Sequence, residues 1–532
     1  MTVDTAPPVL LINPFYPIDE NPTPPLGLAF LAGVLEATGI HVSVLDFVVF
    51  PYSRDFLKSH MAAVAPKLVG ATSVTMTFDN AISVIRDVKT IDPEVVTVMG
   101  GPHVTFRAEE TLAEHLDLDV VVIGEGEQTL VELVRAGTDR NLWEAIPGLV
   151  FRKGDGFRRT PPRAFADLDT LPLPARHRIP LGRYRALNLA ISMTSSRGCP
   201  FKCIFCVGRK MVGAKVRYRD PVRVVDEMAY LAGLGFIQIN MADDLFTAKA
   251  DHCTAVCGEI LRRGLKVKWT SFARVDTVSL PVLQSMAAAG CTAVSFGLET
   301  GNRDILKTIR KGITLEQVIA AVGMCNEAGI LPHASFILGL PGETPETIEE
   351  TMAFGRKLEA MGVSYGFHLL APFPGTDVRD RSADYGIRIL TDDWTQYHAN
   401  SAIVETEAAD KALLDRIAGD WRNRFDAYLG DIQRRMAIGE AEPEEAQQID
   451  NLMHTILIYE LMMASLMETV GTWPVEDPAD PNSLETLATR LADKSKYNEG
   501  DLKKSLERSR QQGDLRCVTS DGQVRWEWVD YL

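Results

Sequence analysis

The chain has 532 residues, of which 46% are hydrophobic and 24% are charged. At roughly 100–200 residues per domain this length predicts about three domains, and the ordinary composition excludes a disordered, collagen-like or disulfide-stapled protein. With 55 basic and 71 acidic residues, the net charge is −16. So negative a surface repels phosphate backbones and anionic lipid, which argues against a general nucleic-acid or membrane-surface role. It does not exclude one small acidic substrate in a local basic pocket.

No segment has the pattern of a leader peptide or a membrane span. Residues 1–8 contain Asp4 but no Lys or Arg, unlike secretory or transit peptides. The longest apolar stretch, residues 452–470, is interrupted by one histidine and two glutamates, which makes it too polar for a plain span. We therefore expect a cytoplasmic protein.

The first 145 residues alternate short β-branched runs with helical patterns, which is typical of a parallel sheet wrapped by helices. The fold class predicted here is a doubly wound α/β domain, flavodoxin- or Rossmann-like. The predicted strands are 9–13, 41–46, 68–74, 95–99 and 120–123, and the predicted helices are 26–38, 80–90, 108–115 and 129–136.

The loops that follow these strands predict a ligand-binding rim. Glycines there let the backbone approach a ligand closely, and the helix after Glu127 could receive a phosphate at its N-terminus. Each loop alone could be an ordinary tight turn, but several on one rim favour a binding face. The loop residues in question are Asn13, Pro14, Thr75, Met76, Thr77, Gly100, Gly101, His103, Gly124, Glu125, Gly126 and Glu127.

Residues 146–189 are rich in proline and predict a connector, because proline disfavours both helix and central strand. Residues 190–385 then alternate again and predict a partial (β/α)6 barrel, with its chemistry at the carboxyl ends of the strands. The six predicted strands are 190–194, 236–241, 267–271, 293–297, 333–337 and 365–370, and the predicted helices include 222–234, 280–289, 315–328 and 345–361.

Residues 386–532 show no strand pattern, which predicts a helical C-terminal domain that shapes the substrate pocket. Long helices are predicted over residues 408–438 and 449–470. The second of these carries several methionines that could form an adaptable lid, but an ordinary buried helix is the favoured interpretation.

A cysteine cluster is the most informative motif in the chain. Cys199, Cys203 and Cys206 have the spacing C-x3-C-x2-C and follow the first barrel strand. Three thiolates can hold three irons of a cubane cluster and leave the fourth iron open to an exogenous ligand. Structural zinc is the alternative, but no fourth cysteine or histidine lies at local spacing. A disulfide is less favoured still, because one thiol would be left over.

This motif, with Phe205 before the last cysteine, resembles that of the radical S-adenosylmethionine (SAM) superfamily. The resemblance implies a [4Fe–4S] cluster whose open iron chelates SAM and whose electron cleaves SAM to a 5′-deoxyadenosyl radical. It also implies SAM contacts at successive strand ends, although any one of these residues could be a helix cap or a surface ion pair. The implied SAM-binding residues are Phe205, Asp243, Asp244, Arg274, Glu299 and, through its backbone, Leu338.

The Gly100–Phe106 and Val121–Glu127 segments, ahead of the cysteine cluster, resemble the cobalamin-binding class of radical SAM enzymes. The resemblance covers residues 8–385 and implies a corrinoid between the two rims, bound by the twelve loop residues named above. An Asp-x-His-x-x-Gly motif is absent, so cobalt is expected without a protein imidazole and with the loop of residues 75–78 beneath it. His103 is the alternative cobalt ligand, although a turn histidine is more often structural.

The number and positions of the cysteines exclude two related classes of radical SAM enzyme. Methylthiotransferases for transfer RNA need further cysteines in the N-terminal domain, but here no cysteine precedes Cys199. Enzymes with auxiliary clusters need a cysteine-rich tail, but only Cys517 lies beyond the barrel. Both classes are therefore excluded. Cys253 and Cys257 share a helical face but are more often core residues. We therefore expect a single [4Fe–4S] cluster.

The resemblance implies a cobalamin-dependent radical SAM methyltransferase that moves a methyl group from SAM, via methylcobalamin, to an unactivated carbon, or possibly to the phosphorus, of a small-molecule substrate. The alternatives are a radical cyclase or rearrangement enzyme, similar to anaerobic porphyrin-ester cyclases, and a non-catalytic cobalamin sensor. The expected cofactors are the [4Fe–4S] cluster, SAM and cobalamin, and the expected reductant is a flavodoxin or ferredoxin. Tyr365, His368 and Phe373 are the predicted substrate contacts, although aromatic core packing explains them equally well.

Overall fold

The computed structural model describes residues 7–16, 22–475 and 484–532. Outside the described residues lie residues 1–6, where no leader peptide was predicted, and Pro17, in the loop after the first predicted strand. In the described part of the chain, no helix has both the length and the apolar character needed to cross a membrane.

The N-terminal sheet has seven strands in the order β2-β1-β3-β4-β5-β6-β7. The strands are β1 (Val9–Asn13), β2 (Val42–Asp46), β3 (Leu68–Thr72), β4 (Val96–Gly100), β5 (Val120–Val122), β6 (Leu149–Lys153) and β7 (Gly156–Arg159). The first five are parallel, and their order is that of a flavodoxin-like doubly wound sheet, which confirms the predicted fold class.

Helices cover both faces of this sheet. Helices Leu26–Ala37 and Glu127–Ala136 pack on one face and helices Arg54–Val64, Phe78–Ile91 and Ala108–Glu114 on the other. Short helices Pro102–Thr105 and Arg140–Trp143 complete the domain. Helix Arg54–Val64 was not predicted, although Ser53 caps it by accepting a hydrogen bond from the Phe56 amide.

The antiparallel strands β6 and β7 extend this sheet within residues 146–189, where the sequence predicted only a connector. The prolines of this segment lie outside the hairpin, with Pro147 before it and the others from Pro161 onward after it. A Gly-Asp-Gly turn at residues 154–156, the signal of a tight hairpin, marks it in the sequence.

The second sheet has six parallel strands in chain order, an open partial barrel as predicted. In chain order the elements are β8 (Ile191–Met193), a two-stranded ribbon of β9 (Ser196–Arg197) and β10 (Arg217–Tyr218), then β11 (Ile239–Met241), β12 (Trp269–Ala273), β13 (Cys291–Glu299), β14 (Leu331–Leu338) and β15 (Ser364–Leu369). The helices around it are Gly208–Val212, Pro221–Gly233, Ala250–Arg262, Leu280–Ala288, Arg303–Thr308, Leu315–Ala328, Pro345–Glu359 and Asp377–Asp380.

The C-terminal region is mainly helical, with a two-stranded and a three-stranded sheet that the sequence analysis missed. Its helices are Lys411–Ala437, Pro443–Met463, Leu466–Val470, Leu484–Ala492 and Glu499–Gln511, and its strands are β16 (Arg388–Ile389), β17 (Val404–Glu405), β18 (Thr472–Pro474), β19 (Leu515–Ser520) and β20 (Gln523–Trp528). The left-handed backbone of Ser465 breaks the single helix predicted over 449–470. An Asp521-Gly522 turn, with positive φ at both residues, connects β19 to β20.

A connector helix, Leu181–Ala186, joins the first domain to the C-terminal region. The Arg183 guanidinium donates to the Asp530 carboxylate at 2.7 Å and to the Val49 carbonyl at 3.1 Å. The Tyr184 hydroxyl donates to Asp46 at 2.8 Å. A Cβ atom at Gly182 would lie only 1.7 Å from the Val529 carbonyl oxygen, so this contact needs glycine.

Candidate active site between two facing rims

The loop after β8 holds the three cysteines of the predicted cluster as free thiols. The Cys199 amide donates to the Gly213 carbonyl at 3.1 Å, and the Cys206 amide donates to the Cys203 carbonyl at 3.2 Å. Gly198 begins the loop at φ +122°, where a Cβ atom would lie 2.5 Å from a backbone oxygen. The loop is thus fixed by its own backbone.

The donor set of this loop fits a cubane cluster better than a single metal ion. Among the described residues, no three Cys, His, Asp or Glu side chains are grouped closely enough to bind one ion. In a cubane each cysteine binds a different iron, so the sulfurs need not converge on one point. Burial raises the pKa of the Cys203 thiol, and the neighbouring Lys311 and Arg274 charges oppose that rise. These cations favour the thiolate form that iron requires.

Arg274, predicted from the end of β12, lies buried beside the cysteine loop. Its guanidinium donates two hydrogen bonds of 2.9 Å to Asp276 and one of 2.8 Å to the Lys311 carbonyl. It lies 3.4 Å from the ring centroid of Phe201. Its Nη1 atom is buried without a hydrogen-bond partner in the structure. An unpartnered buried donor of this kind suits a carboxylate ligand.

Glu299, predicted from the end of β13, forms a buried ion pair that the sequence did not reveal. The Lys311 ammonium donates to its carboxylate at 2.6 Å, and both side chains are less than a tenth exposed. Glu299 has φ +70°, a backbone conformation uncommon for non-glycine residues and frequent at functional sites. Nothing in the local sequence distinguishes Lys311, which the fold brings here from beyond helix Arg303–Thr308.

The two aspartates after β11 differ in their surroundings. Asp243 is buried and accepts hydrogen bonds from the hydroxyls of Ser195 and Ser196 at 2.7 and 2.5 Å. Burial raises its pKa to about 6. Asp243 therefore helps to hold the β8 loop, and its expected role as a SAM contact stays a prediction. Asp244 is exposed beside the cysteines, where it accepts from the Gly198 amide at 3.0 Å.

Of the two remaining predicted SAM contacts, Phe205 is half-buried, whereas the Leu338 side chain lies wholly in the core. The Leu338 carbonyl accepts from the Leu370 amide at 2.8 Å. The amides of the next two residues donate to the buried Glu343 carboxylate at 2.6 and 3.0 Å. Glu343, which the sequence analysis did not name as a ligand, thus occupies these two amides, and burial raises its pKa to about 8.

The rim of the first sheet encloses a cavity of about 350 Å³, within the range of small-molecule sites. Its walls are mainly apolar and come from β1, β3, β4, β5 and helix Leu26–Ala37. Six of the twelve predicted rim residues line it, namely Gly100, Gly101, Gly124, Glu125, Gly126 and Glu127. A Cβ atom at Gly124 would meet nothing within 4 Å. An apolar slot with a glycine-lined mouth fits part of a large planar cofactor.

The other six predicted rim residues do not line this cavity. Asn13 donates to Asp46 at 2.8 Å, and Thr75, Met76 and Thr77 form a short 3-10 helix beside residues 394–396. Pro14 follows β1 outside the cavity wall, which leaves its predicted contact untested.

His103, the sixth, is buried in an aromatic cluster. Its ring stacks on Phe78 at 4.2 Å and meets the edge of Trp394 at 4.8 Å. Burial lowers its pKa to about 3, and neither ring nitrogen has a hydrogen-bond partner in the structure. This packing favours a structural role over cobalt ligation.

The two rims face each other across the candidate site. The Arg197 guanidinium, next to the cysteine loop, donates to Glu127 at 2.7 Å and lies 4.6 Å from the Phe30 ring centroid. The Arg217 guanidinium pairs with Glu125 at 2.5 Å. Arg197, Met211 and Val212 also close the cavity of the first sheet. A cofactor in that cavity and one on the cysteine loop would therefore share one space.

The three predicted substrate contacts have different positions. The Tyr365 ring packs 4.8 Å from Trp421 and against helix Pro345–Glu359, which favours the alternative of aromatic core packing, and its substrate contact stays a prediction. Tyr365 fills the space next to Gly355. Phe373 is half-buried 6.4 Å from Tyr397, and its substrate contact stays a prediction. His368 is exposed near the carboxyl end of β15.

Two family profiles match this chain. The B12 binding domain matches residues 19–134, and the Radical SAM superfamily matches residues 193–355.

Two curated relatives cover most of the chain. An uncharacterised methyltransferase from Pyrococcus horikoshii is 35% identical over 381 residues, which cover 70% of this chain and 81% of the relative. The anaerobic magnesium-protoporphyrin IX monomethyl ester cyclase of Rubrivivax gelatinosus is 31% identical over 443 residues, 78% of this chain and 77% of the relative.

Solved structures agree with this similarity. The radical SAM methyltransferase TsrM from Kitasatospora setae, bound to tryptophan and a SAM analogue, is 26% identical with a TM-score of 0.60 over 72% of this chain and 77% of its own. The cobalamin-dependent SAM radical enzyme OxsB, 18% identical, has the same fold, with a TM-score of 0.67 over 95% of this chain and 79% of its own.

Proposed function

Because the chain belongs to the family of cobalamin-binding radical SAM enzymes, we propose that it transfers the methyl group of SAM, through cobalamin, to an unactivated carbon or to the phosphorus of a small molecule. Its cofactors are a [4Fe–4S] cluster, SAM and cobalamin. The observation that supports the proposal most directly is the position of three free thiols opposite the glycine-lined cavity of the B12-binding domain.

The side chains around this space have distinct roles in the proposal. When bound, the cluster and SAM supply a 5′-deoxyadenosyl radical and cobalamin supplies a transferable methyl group. Cys199, Cys203 and Cys206 hold the cluster. The unpartnered Nη1 of Arg274 donates to the methionyl carboxylate of SAM, and Asp244 accepts from its amino group.

Other residues orient and enclose these groups. Phe205 packs beside the adenine, and the Glu299–Lys311 pair makes the polar contact to the methionyl or ribose part. The apolar walls of the first-sheet cavity and Gly100, Gly101, Gly124 and Gly126 accept cobalamin and keep water away from it.

The test is an anaerobic assay of the reconstituted enzyme with SAM that carries a deuterated methyl group and a small-molecule extract of the native host. We expect 5′-deoxyadenosine, S-adenosylhomocysteine and a labelled product together. Turnover that yields 5′-deoxyadenosine without S-adenosylhomocysteine would contradict methyl transfer.

A radical ring closure is the second candidate, because a magnesium-protoporphyrin ester cyclase is 31% identical over 77% of its length. The assay with deuterium-labelled SAM distinguishes a methyltransferase from a cyclase. A cyclase would consume SAM and change its substrate while the product gains no deuterium.

We also propose that a one-electron donor such as flavodoxin or ferredoxin serves this enzyme in the cytoplasm. The oxygen-sensitive cluster and the free thiols of Cys199, Cys203 and Cys206 fit a reducing compartment. Anaerobic mixing with reduced flavodoxin should bleach the visible absorption of the cluster, and an unchanged spectrum with both donors would exclude them.

A further inference from the structure

The segment around the cysteine loop has a charge opposite to that of the chain as a whole. Residues 195–219 contain seven Lys or Arg residues and no Asp or Glu, in a chain whose net charge is −16. A local concentration of one charge attracts partners of the other sign, provided that the charges are not already neutralised within the fold. The ion pairs of the seven cations show which of them are available.

Four of the seven cations are neutralised by carboxylates of the described residues. Each lies 2.5–2.8 Å from a carboxylate oxygen, and two of the pairs join the facing rims. The four pairs are Arg197 with Glu127, Arg217 with Glu125, Arg219 with Glu227, and Lys210 with Asp377. These four charges therefore serve the fold itself.

The other three cations, Lys202, Arg209 and Lys215, form what we call the basic patch. Within residues 7–16, 22–475 and 484–532, all the ion pairs of this segment belong to the four cations described above, and the basic patch has none. Lys202 and Lys215 are exposed, and Arg209 is half-exposed. Their charges remain available to another molecule.

The basic patch borders the loop that holds the cluster cysteines. Lys202 lies within that loop, between two of the cysteines. The Arg209 guanidinium donates to the Pro200 carbonyl. A Cβ atom at Gly198 would lie 2.5 Å from the Lys215 carbonyl oxygen, so the Lys215 backbone lies against the start of the loop. The three cations therefore surround one loop and are not scattered over the surface.

The thiols of this loop lie near the protein surface. Cys206 is exposed, and Cys199 and Cys203 are half-exposed. Asp244, an exposed carboxylate beside them, accepts from the Gly198 amide at 3.0 Å, and in the proposed function it also meets the amino group of SAM. The three residues of the basic patch do not line the cavity of the first sheet. A protein bound to the basic patch would therefore approach the cluster without entering that cavity.

We propose that the basic patch is the docking surface for an acidic one-electron carrier protein of the flavodoxin type. The inference rests on the proposed function, because it assigns the place where the electron for the cluster enters. The carrier is oxidised by one electron and the cluster is reduced by one electron, while no bond forms or breaks.

Electrostatics favours this place over the rest of the surface. A net charge of −16 repels an acidic carrier, whereas three unpaired cations beside the cluster attract it. Exposed charges are largely screened beyond about 10 Å at 0.1 M ionic strength, so a local group of cations can guide the carrier despite the opposite net charge.

The test measures anaerobic reduction of the reconstituted full-length holoenzyme by reduced flavodoxin. Rapid freezing and electron paramagnetic resonance follow the reduced cluster. The patch variant combines Lys202→Glu, Arg209→Glu and Lys215→Glu. We expect its second-order rate constant to be at least about ten-fold lower at low salt, because electrostatic steering raises association rates by about 10–10³-fold. Added sodium chloride should slow reduction of the unmutated enzyme but not of the patch variant.

The matched control combines Lys67→Glu, Lys266→Glu and Lys268→Glu. These lysines are exposed and precede β3 and β12, at the ends of those strands opposite the rims. Both triple variants lower the net charge equally, so their long-range repulsion of flavodoxin is the same. The control should be reduced at a rate close to that of the unmutated enzyme. Equal rate constants for the two triple variants would overturn the proposal.

Reduced methyl viologen distinguishes docking from damage to the cluster. This small cationic donor needs no protein surface, so it should reduce the patch variant at least as fast as the unmutated enzyme. Slower reduction by methyl viologen as well would mean that the three cations act on the cluster itself, which would also refute the proposal. The milder combination of Lys202→Gln, Arg209→Gln and Lys215→Gln gives a second comparison, and iron counts establish that each variant is loaded.

The outcome is separable from that of the proposed function. Reduction of the cluster needs no methyl acceptor, so slow reduction of the patch variant alone, without labelled product in the turnover assay, would contradict methyl transfer only. Flavodoxin reduction at the same rate in all three proteins would keep flavodoxin as the donor and reject this surface.

Discussion

The cysteine trio is the residue set on which the cofactor chemistry depends most directly. We expect Cys203→Ala to abolish retention of the [4Fe–4S] cluster, because two thiolates cannot hold three irons. Cys517→Ala, far away in β19, should keep the full iron content. Iron and sulfide determination after anaerobic reconstitution measures this, and equal iron in both variants would contradict the assignment.

The buried Glu299–Lys311 pair predicts an asymmetric response to mutation. Lys311→Met would leave the Glu299 carboxylate buried and unpaired, which costs about 3–5 kcal/mol when one partner of a buried pair is removed. Lys307→Met removes a pair that is 78% and 86% exposed and should cost less than about 1 kcal/mol. Urea unfolding monitored by fluorescence measures both, and similar midpoints for the two variants would be inconsistent with a buried pair.

Among single site residues, the sequence analysis predicted those that a local motif marks. The cysteines, Arg274 and Glu299 stand at recognisable positions after strands, and the structure brings them to one rim. Lys311, Glu343 and Trp394 were missed as site residues because each reaches the site through tertiary contacts that no local pattern encodes. The hydrogen bonds that Ser195 and Ser196 donate to Asp243 were likewise not evident from the sequence, because spacing alone does not show which hydroxyls reach its oxygens.

Among the secondary-structure elements, the connector helix has the tightest packing constraint. Gly182→Ala would place a methyl group 1.7 Å from the Val529 carbonyl oxygen, and such overpacking costs about 1–3 kcal/mol or more. Gly258→Ala, inside helix Ala250–Arg262 with nothing within 4 Å, should instead be neutral or stabilise by up to about 1 kcal/mol. Thermal unfolding compares the two variants. A Gly182→Ala protein as stable as Gly258→Ala would show that the connector adjusts freely.

The edge of the first sheet contains a titrating group whose effect on stability has a defined sign. Burial raises the pKa of Asp46 from 3.8 to about 6, although Tyr184 and Asn13 donate hydrogen bonds to it. Between these pH values the folded chain keeps a proton that the unfolded chain has lost. The free energy of unfolding therefore falls as the pH rises from about 4 to about 6.

Asp46→Asn tests this dependence. A pKa difference of about two units corresponds to a loss of about 3 kcal/mol in the free energy of unfolding of the unmutated protein. The variant should not show this loss over the same pH interval, because asparagine does not ionise. Urea unfolding midpoints at several pH values give the pH dependence of stability for both proteins. The same pH dependence in both would show that Asp46 does not cause it.

Among the elements, those with strong periodicity were predicted and those marked only by a turn were missed. All five parallel strands of the first sheet and all six of the barrel overlap their predicted ranges. The β6–β7 and β19–β20 hairpins were overlooked, although Gly-Asp-Gly and Asp-Gly turns mark them, because one strand of each hairpin, β7 or β19, is polar and largely exposed. Burial, which drives strand periodicity, is weak there.

Across the whole molecule, the facing rims are joined by buried charge pairs. Arg197→Met would leave Glu127, 6% exposed, without its cation and should weaken both the contact between the rims and cobalamin retention. Hydrogen exchange over residues 124–127 and cobalt counts measure this. Arg86→Met, whose pair is 3.9 Å long and exposed, is the matched control. Unchanged exchange in both variants would mean that the rims are held by other contacts.

The contact of Arg183 with Asp530 spans 347 residues and has a consequence for biosynthesis. A ribosome adds about 5–20 residues per second, so the connector waits roughly 20–70 s for its last partners to be translated. During that interval the charge pairs between the two rims can already form, but the C-terminal region has not yet been joined to the connector. Packing of the C-terminal region against the connector would therefore follow assembly of the two rims rather than direct it.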